Sequence, residues 1–302
     1  MTKKWGESFL KSGLPLEHLT AVTLRKLGWS VEANEEFLRR NEEGAKTWFE
    51  LDMFASRHVG SRDTELGFLV ECKYHEASRF WMFLPDDGGG FLSDAFLLNC
   101  GPVQTLRRPT KNTFLDLAPH STAGVVVSQD GVKQENAIHK AIQQLSHGFA
   151  PYLVERLLTF NFHPAPPSLP WATATVPVIV TNAELYRLRP EINDLDVIRQ
   201  ATSPADIADH VGWMWCRHSN SYELRDTNIA TIEEQLGRYS DEVKRAPATK
   251  ECLVGFIDRP HWIAVVNIRA LAQMATVVAE TFSKVELARV STVAGRRRKA
   301  FR

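Results

Sequence analysis

Apolar side chains recur at helical spacing through Leu16, Leu19, Leu24 and Leu27 in "SGLPLEHLTAVTLRKLGW". Pro15 suits a first helical position and Gly28 follows the last turn, so this stretch predicts a helix. "WSVEANEEFLRR" alternates weakly and predicts a strand, and the polar break "NEEGAK" follows it. Two more apolar strands are expected at 48–56 and 66–75, joined by the loop "RHVGSRDTE". The opening is therefore a helix followed by a three-stranded meander.

Between Phe80 and Pro119 the pattern fades. "PDDGGGF" and "RRPTKN" mark loops, and the region reads as an insertion with little regular structure. "TAGVVVS" predicts a short strand. In "QENAIHKAIQQLSHGF", Ile138, Ala141, Ile142, Leu145 and Phe149 follow a helical repeat, and Pro151 is expected to end that helix and start a second one reaching Phe160. "HPAPPSLP" is an extended connector, and 176–181 is a short β-branched run of the buried-strand type. The last third mixes helical and strand-like pieces around Trp213 and Trp215. "ECLVGFIDRPHWIAVVNI" predicts a hairpin turning at Asp258 to Pro260, and "RALAQMATVVAETFSKVELA" a closing amphipathic helix. This order predicts an α/β fold built on a central mixed sheet flanked by helices. Residues 1–190 would form the core, with the insertion at about 80–120, and 191–302 a mixed α+β C-terminal extension packed on or completing it.

Acidic residues interrupt two of the apolar strands: Glu50 and Asp52 in the first, Glu71 in the second, with Lys73 two residues further on. Desolvating a charged side chain costs several kcal/mol unless it is paired or binds a metal. Alternation in a strand puts Glu71 and Lys73 on one face and Val70, Cys72 and Tyr74 on the other. By the same rule Glu50 and Asp52 share a face, opposite Phe49, Leu51 and Met53. A hairpin of these two strands would gather Asp52, Glu71 and Lys73 on a polar face and leave the other face to the core. Two carboxylates suit Mg2+, with Mn2+ as the other candidate. A neighbouring lysine can position an attacking water or stabilise charge developing on a phosphate.

The tripeptide Glu-x-Lys is not itself specific, since Glu242 and Lys244 repeat it within "RYSDEVKRAP", where a solvated surface pair is the simplest reading. The apolar setting of "GFLVECKY", preceded by a strand with its own acid, carries the signal. Thirty-six basic residues balance thirty-six acidic ones in 302, so net charge neither favours nor disfavours nucleic acid. The segment from Arg289 to Arg302 holds six basic residues and no acidic one, and reads as a solubilising tail or a phosphate-contacting arm. Four cysteines lie far apart without Cys-x-x-Cys spacing, so neither zinc nor a disulfide framework is expected. No signal peptide or membrane span is read, and the cytoplasm is the expected compartment. "DDGGGF" lacks the Lys-Ser/Thr ending of a phosphate loop.

Asp52, a loop, and then Glu71-Cys72-Lys73 at the end of an apolar strand resemble the PD-(D/E)XK, or restriction-endonuclease-like, nucleases. The resemblance implies a core of helix, three strands, helix and strand, matching the order from Pro15 to about Leu188 with the insertion set aside. It implies that Asp52 and Glu71 bind Mg2+, that the Cys72 carbonyl assists, and that Lys73 acts on the water or the transition state. Glu17 is placed like the first-helix glutamate of many members. Leu51 stands where the motif's proline would be. The implied activity is Mg2+-dependent phosphodiester hydrolysis, most simply by a DNA endonuclease of restriction or defence type, with RNA left open as substrate. The alternatives are an inactive nuclease-like module that binds nucleic acid or a partner, and a repair nuclease or RNase. Cutting both strands of a duplex suggests a homodimer, and an accessory protein is a possible source of specificity. Glu50, His75, Gln143 and Gln144 are lesser candidates, and Trp213 with Trp215 would stack on a base only from an open surface.

Overall fold

The computed structural model describes residues 4–40, 45–59, 64–76, 78–86, 98–100, 115–128, 137–162, 172–237, 257 and 262–283. Helix α1 (Lys4–Lys11) leads into α2 (Leu14–Lys26) through Gly13, whose φ of 84° is the left-handed conformation that favours glycine. The three-stranded meander follows as expected. β1 (Ser30–Arg40) pairs antiparallel with β2 (Lys46–His58), and β2 pairs antiparallel with β3 (Thr64–Lys73).

The stretch expected to be irregular departs from that reading at its start. Arg79–Pro85 forms strand β4, and the short β5 (Leu98–Cys100) follows. No polar alternation marks β4 in the sequence, because its outward residues Phe80, Met82 and Leu84 are apolar like the buried Trp81 and Phe83. β6 (His120–Ser128) precedes a single helix, α3 (Ala137–Phe162), where a break at Pro151 was expected. Pro151 removes one N–H from the ladder. The helix nevertheless runs on, and Gln235 Nε2 of a later helix donates to the Pro151 carbonyl at 3.3 Å.

β7 (Ala172–Thr181) and β8 (Glu184–Leu188) come next, then α4 (Leu195–Gln200), β9 (Ala208–Val211), β10 (Trp213–Arg217) and α5 (Tyr222–Gly237). β11 (Trp262–Asn267) and α6 (Leu271–Ser283) complete the described chain. The hairpin expected before β11 is not its partner. β11 is flanked by β7, to which it is parallel, and by β10, to which it is antiparallel, and Ile257 in the supposed first arm is helical. Most of that first arm, the Glu242–Lys244 repeat and the basic segment 289–302 lie outside the described residues.

The described strands form one mixed sheet in the order β1-β2-β3-β7-β11-β10-β6-β4-β8-β9, with β5 paired to β7. The protein is thus α/β, a large mixed sheet flanked by helices. Residues 191–302 supply β9, β10 and β11 to that same sheet. On one face Phe68, Val70, Val178, Val180 and Val266 pack with Leu16 and Leu24 of α2 and Met274 and Val278 of α6. On the other, Leu69, Ile179, Val265, Trp81 and Phe83 pack with Ile142, Leu145 and Phe149 of α3. Trp213 and Trp215 are buried in the first cluster, with ring centroids 5.4 Å apart, so neither offers a surface to a base. Among the described residues no helix is long and apolar enough to cross a membrane.

Candidate active site

β3 lies between β2 and β7, and every residue from Leu66 to Cys72 is buried. The polar face expected of β3 is therefore sealed from solvent at Glu71. A strand paired on both edges and covered by helices on both faces has no wet side, and Glu71 retains only 1% of its exposure. Lys73 is half-buried at the strand end, where the helical cover gives out.

The alternation expected of β2 also breaks, and it breaks at Asp52. Leu51 and Met53 should share a face, yet Leu51 packs in the α3-side cluster and Met53 in the α2-side cluster. The paired ladder between β2 and β3 ends at Met53 and Val70. Beyond it, the Cys72 backbone N–H donates to Asp52 Oδ2 at 2.5 Å. A side-chain carboxylate has taken a bond that a main-chain carbonyl would otherwise accept, so the strand turns about Asp52 instead of continuing its pleat. Across β1, the position between Ala33 and Glu35 is Asn34, with a left-handed φ of 59°. Asn is among the few residues that tolerate it.

Glu17 arrives from the first turn of α2, half-buried. Its Oε1 lies 3.3 Å from where a Cβ on Gly13 would sit, so the glycine also leaves room for the carboxylate. The groups are close enough to tune one another. Burial first, and then the Asp52 charge, raise Glu71 from its ordinary 4.5 to about 7, although Lys73 pulls it down. Asp52 is raised by burial against the opposing hydrogen bond from Cys72 and the charge of Lys73. Glu17 is raised by burial, then by Asp52 and by the exposed Glu50. Glu17, Asp52, Glu71 and Lys73 thus occupy one electrostatic neighbourhood, with Glu50 at its rim.

Satisfaction is uneven within it. Lys73 Nζ donates to Glu71 Oε1, while Glu71 Oε2 is buried without a hydrogen-bond partner. Such an atom is costly to leave bare, and a cation would satisfy it. Among the described residues no group of three or more His, Cys, Asp and Glu side chains is arranged to hold a metal ion. Mg2+ asks less, commonly one or two carboxylates with water completing its shell. Asp52 and Glu71 with the Cys72 carbonyl fit that demand. The Cys72 thiol faces away, donating to Thr20 Oγ1 at 3.7 Å on the α2 side, and burial raises it well above its usual range.

The remaining candidates fall elsewhere. His75 is buried at 6% exposure with its ring edge-on to Trp81 and neither ring nitrogen partnered; burial, then Arg79 and Lys73, lower it to about 4. Gln143 is exposed and Gln144 half-buried on α3. Thr181 and Asn182, at the end of β7, were not anticipated. Thr181 Oγ1 donates to the Lys73 carbonyl at 2.8 Å, and Asn182 holds the main chain of His75. No local sequence signal marks them; the parallel register that sets Lys73 opposite Thr181 identifies the pair. The chain matches none of the protein-family models, curated proteins or solved structures with which it was compared.

Proposed function

We propose that this chain is a Mg2+-dependent nuclease of the PD-(D/E)XK kind, most simply a DNA endonuclease of restriction or defence type. The observation that carries the reading is Glu71: a sealed carboxylate with one oxygen on Lys73 and the other bare, beside Asp52 and Glu17. With β4, β5 and β6 set aside, the order α2, β1-β2-β3, α3, β7, with β7 parallel to β3, supports a restriction-endonuclease-like core.

In this reading Asp52, Glu71 and the Cys72 carbonyl would hold the ion, and Glu17 adds its charge to the same acidic neighbourhood. A bound Mg2+ supplies charge stabilisation at the phosphate and activates water. Lys73 lies in contact with Glu71 at the solvent-facing end of the strand, where its ammonium orients the incoming water or meets charge developing on a phosphate oxygen. The Cys72 N–H on Asp52 Oδ2 fixes that carboxylate before any ligand arrives. Two such sites on a homodimer would cut both strands of a duplex.

The test is incubation of the protein with supercoiled DNA, linear DNA and RNA in Mg2+, Mn2+ and chelator, beside Asp52→Ala and Lys73→Ala. Cleavage that needs metal and falls about 10²–10³-fold or more in each variant is the expected result. A wild type that cuts none of these, or variants that cut equally well, would overturn the reading. Retained DNA binding without cutting would favour the inactive nucleic-acid-binding module.

A further inference from the structure

The β3–β7 ladder ends at Lys73 opposite Thr181, because β7 must leave the sheet to reach β8 at Glu184. The chain after Lys73 is held all the same. Asn182 Oδ1 accepts from the His75 backbone N–H at 2.7 Å, and Asn182 Nδ2 donates to the His75 carbonyl at 2.6 Å. A primary amide carries the same donor and acceptor as a peptide unit, so this side chain adds one further rung to the ladder. Thr181 Oγ1 donates to the Lys73 carbonyl at 2.8 Å and accepts from the Ala183 N–H at 3.1 Å. Asn267, at the end of β11, donates to the Ala183 carbonyl at 2.8 Å and so anchors the turn itself.

We infer that Asn182 is a positioning residue for the cleavage reaction: its amide fixes the main chain beyond Lys73 and thereby holds the lysine against Glu71. The inference rests on the nuclease reading above. The reason to assign the amide a role beyond stability is where it acts. The His75 ring is wedged against Trp81 without hydrogen-bond partners of its own, so Asn182 supplies the polar bonds that keep residues 73–75 in line. Aspartate has the same shape but cannot donate to the His75 carbonyl, and it would set a carboxylate against that oxygen.

The experiment compares wild type, Asn182→Asp and Asn182→Ser in metal-dependent cleavage of supercoiled DNA, with amide hydrogen exchange at residues 73–76 read in the same proteins. For Asn182→Asp the expected result is a fall in kcat of roughly tenfold to a hundredfold with KM nearly unchanged. Exchange at His75 should speed up while that of β11 stays slow. Asn182→Ser, which can offer a donor or an acceptor but does not span both, should fall between. A cutting wild type with an equally fast Asn182→Asp overturns this role and leaves the nuclease reading standing. So does a loss carried wholly in KM, or one accompanied by faster exchange throughout the sheet. A wild type that cuts nothing overturns the function and this role with it.

Discussion

Glu184, on the rim formed by β8 and β9, has a partner for each carboxylate oxygen: Arg269 Nη1 at 2.7 Å on Oε1 and His210 Nε2 at 2.6 Å on Oε2. On the neighbouring strand Asp209 accepts from Arg189 Nε at 3.1 Å, and the same guanidinium donates to the carbonyls of Ala205 and Asp206. Glu71 sits at the other extreme, sealed from water, paired on one oxygen and bare on the other. Exposed charges of the first sort are worth about 0–1 kcal/mol each and are easily exchanged. A buried polar atom left unsatisfied costs about 1–3 kcal/mol. Where a chain keeps that cost at the end of a central strand, beside two more acids, function is the economical explanation.

Substitution sharpens the contrast. The largest effect is expected from Glu71→Gln, which keeps the volume and removes the charge: cleavage should fall about 10²–10³-fold, read as plasmid nicking. The same change should stabilise the fold, and in a pH-dependent way. Below pH 4.5 Glu71 is protonated in folded and unfolded chains alike. As pH rises to about 7 the unfolded chain ionises it first, so the wild type loses roughly 3 kcal/mol across that window, and Gln does not. His75 runs the other way: it is protonated more readily when unfolded between about pH 4 and 6.5, so its share of stability grows with pH. That term is common to both proteins and cancels in the difference between their urea unfolding curves at pH 5 and pH 8. A gap no wider at pH 8 than at pH 5 would mean that folding does not raise the Glu71 carboxyl.

Smaller effects should follow at the frame. Gly13→Ala places a methyl group against Glu17 Oε1 at a left-handed residue, and should cost about 1 kcal/mol by urea midpoint. At the rim, Glu184→Gln should stay within about 1 kcal/mol and leave cleavage untouched. A Glu184→Gln protein as damaged in cleavage as Glu71→Gln would erase the distinction between the two carboxylates.

Much of the site was legible in sequence because its residues lie close along the chain: a helix, a meander and an acid on each of two apolar strands. What alternation could not reveal was the break at Asp52. A side-chain carboxylate replacing a ladder bond leaves no trace in hydropathy, so Leu51 and Met53 read as one face when they serve two. Burial of β3 on both faces was hidden for a related reason. It depends on β7, about a hundred residues later, and on α3 and α6 closing the two sides. β4 and β8 were missed where both faces of a strand are apolar or the strand is short, and Asn182 because one amide mimicking a peptide unit has no sequence signature. Tertiary pairing, not local preference, decided each of these.

The position of β11 carries a consequence for how the molecule is made. The strand in the middle of the sheet is the last one synthesised among those described, and until residues 262–267 leave the ribosome, β7 and β10 lack the neighbour that joins them. Pairings that distant in sequence form slowly, and waiting strand edges invite contact with other chains. A ribosome stalled before Trp262 would therefore release two unjoined half-sheets, a substrate for chaperones and proteases. The clasp on β3, which reaches Asn267 through Ala183, closes only once β11 itself has been made.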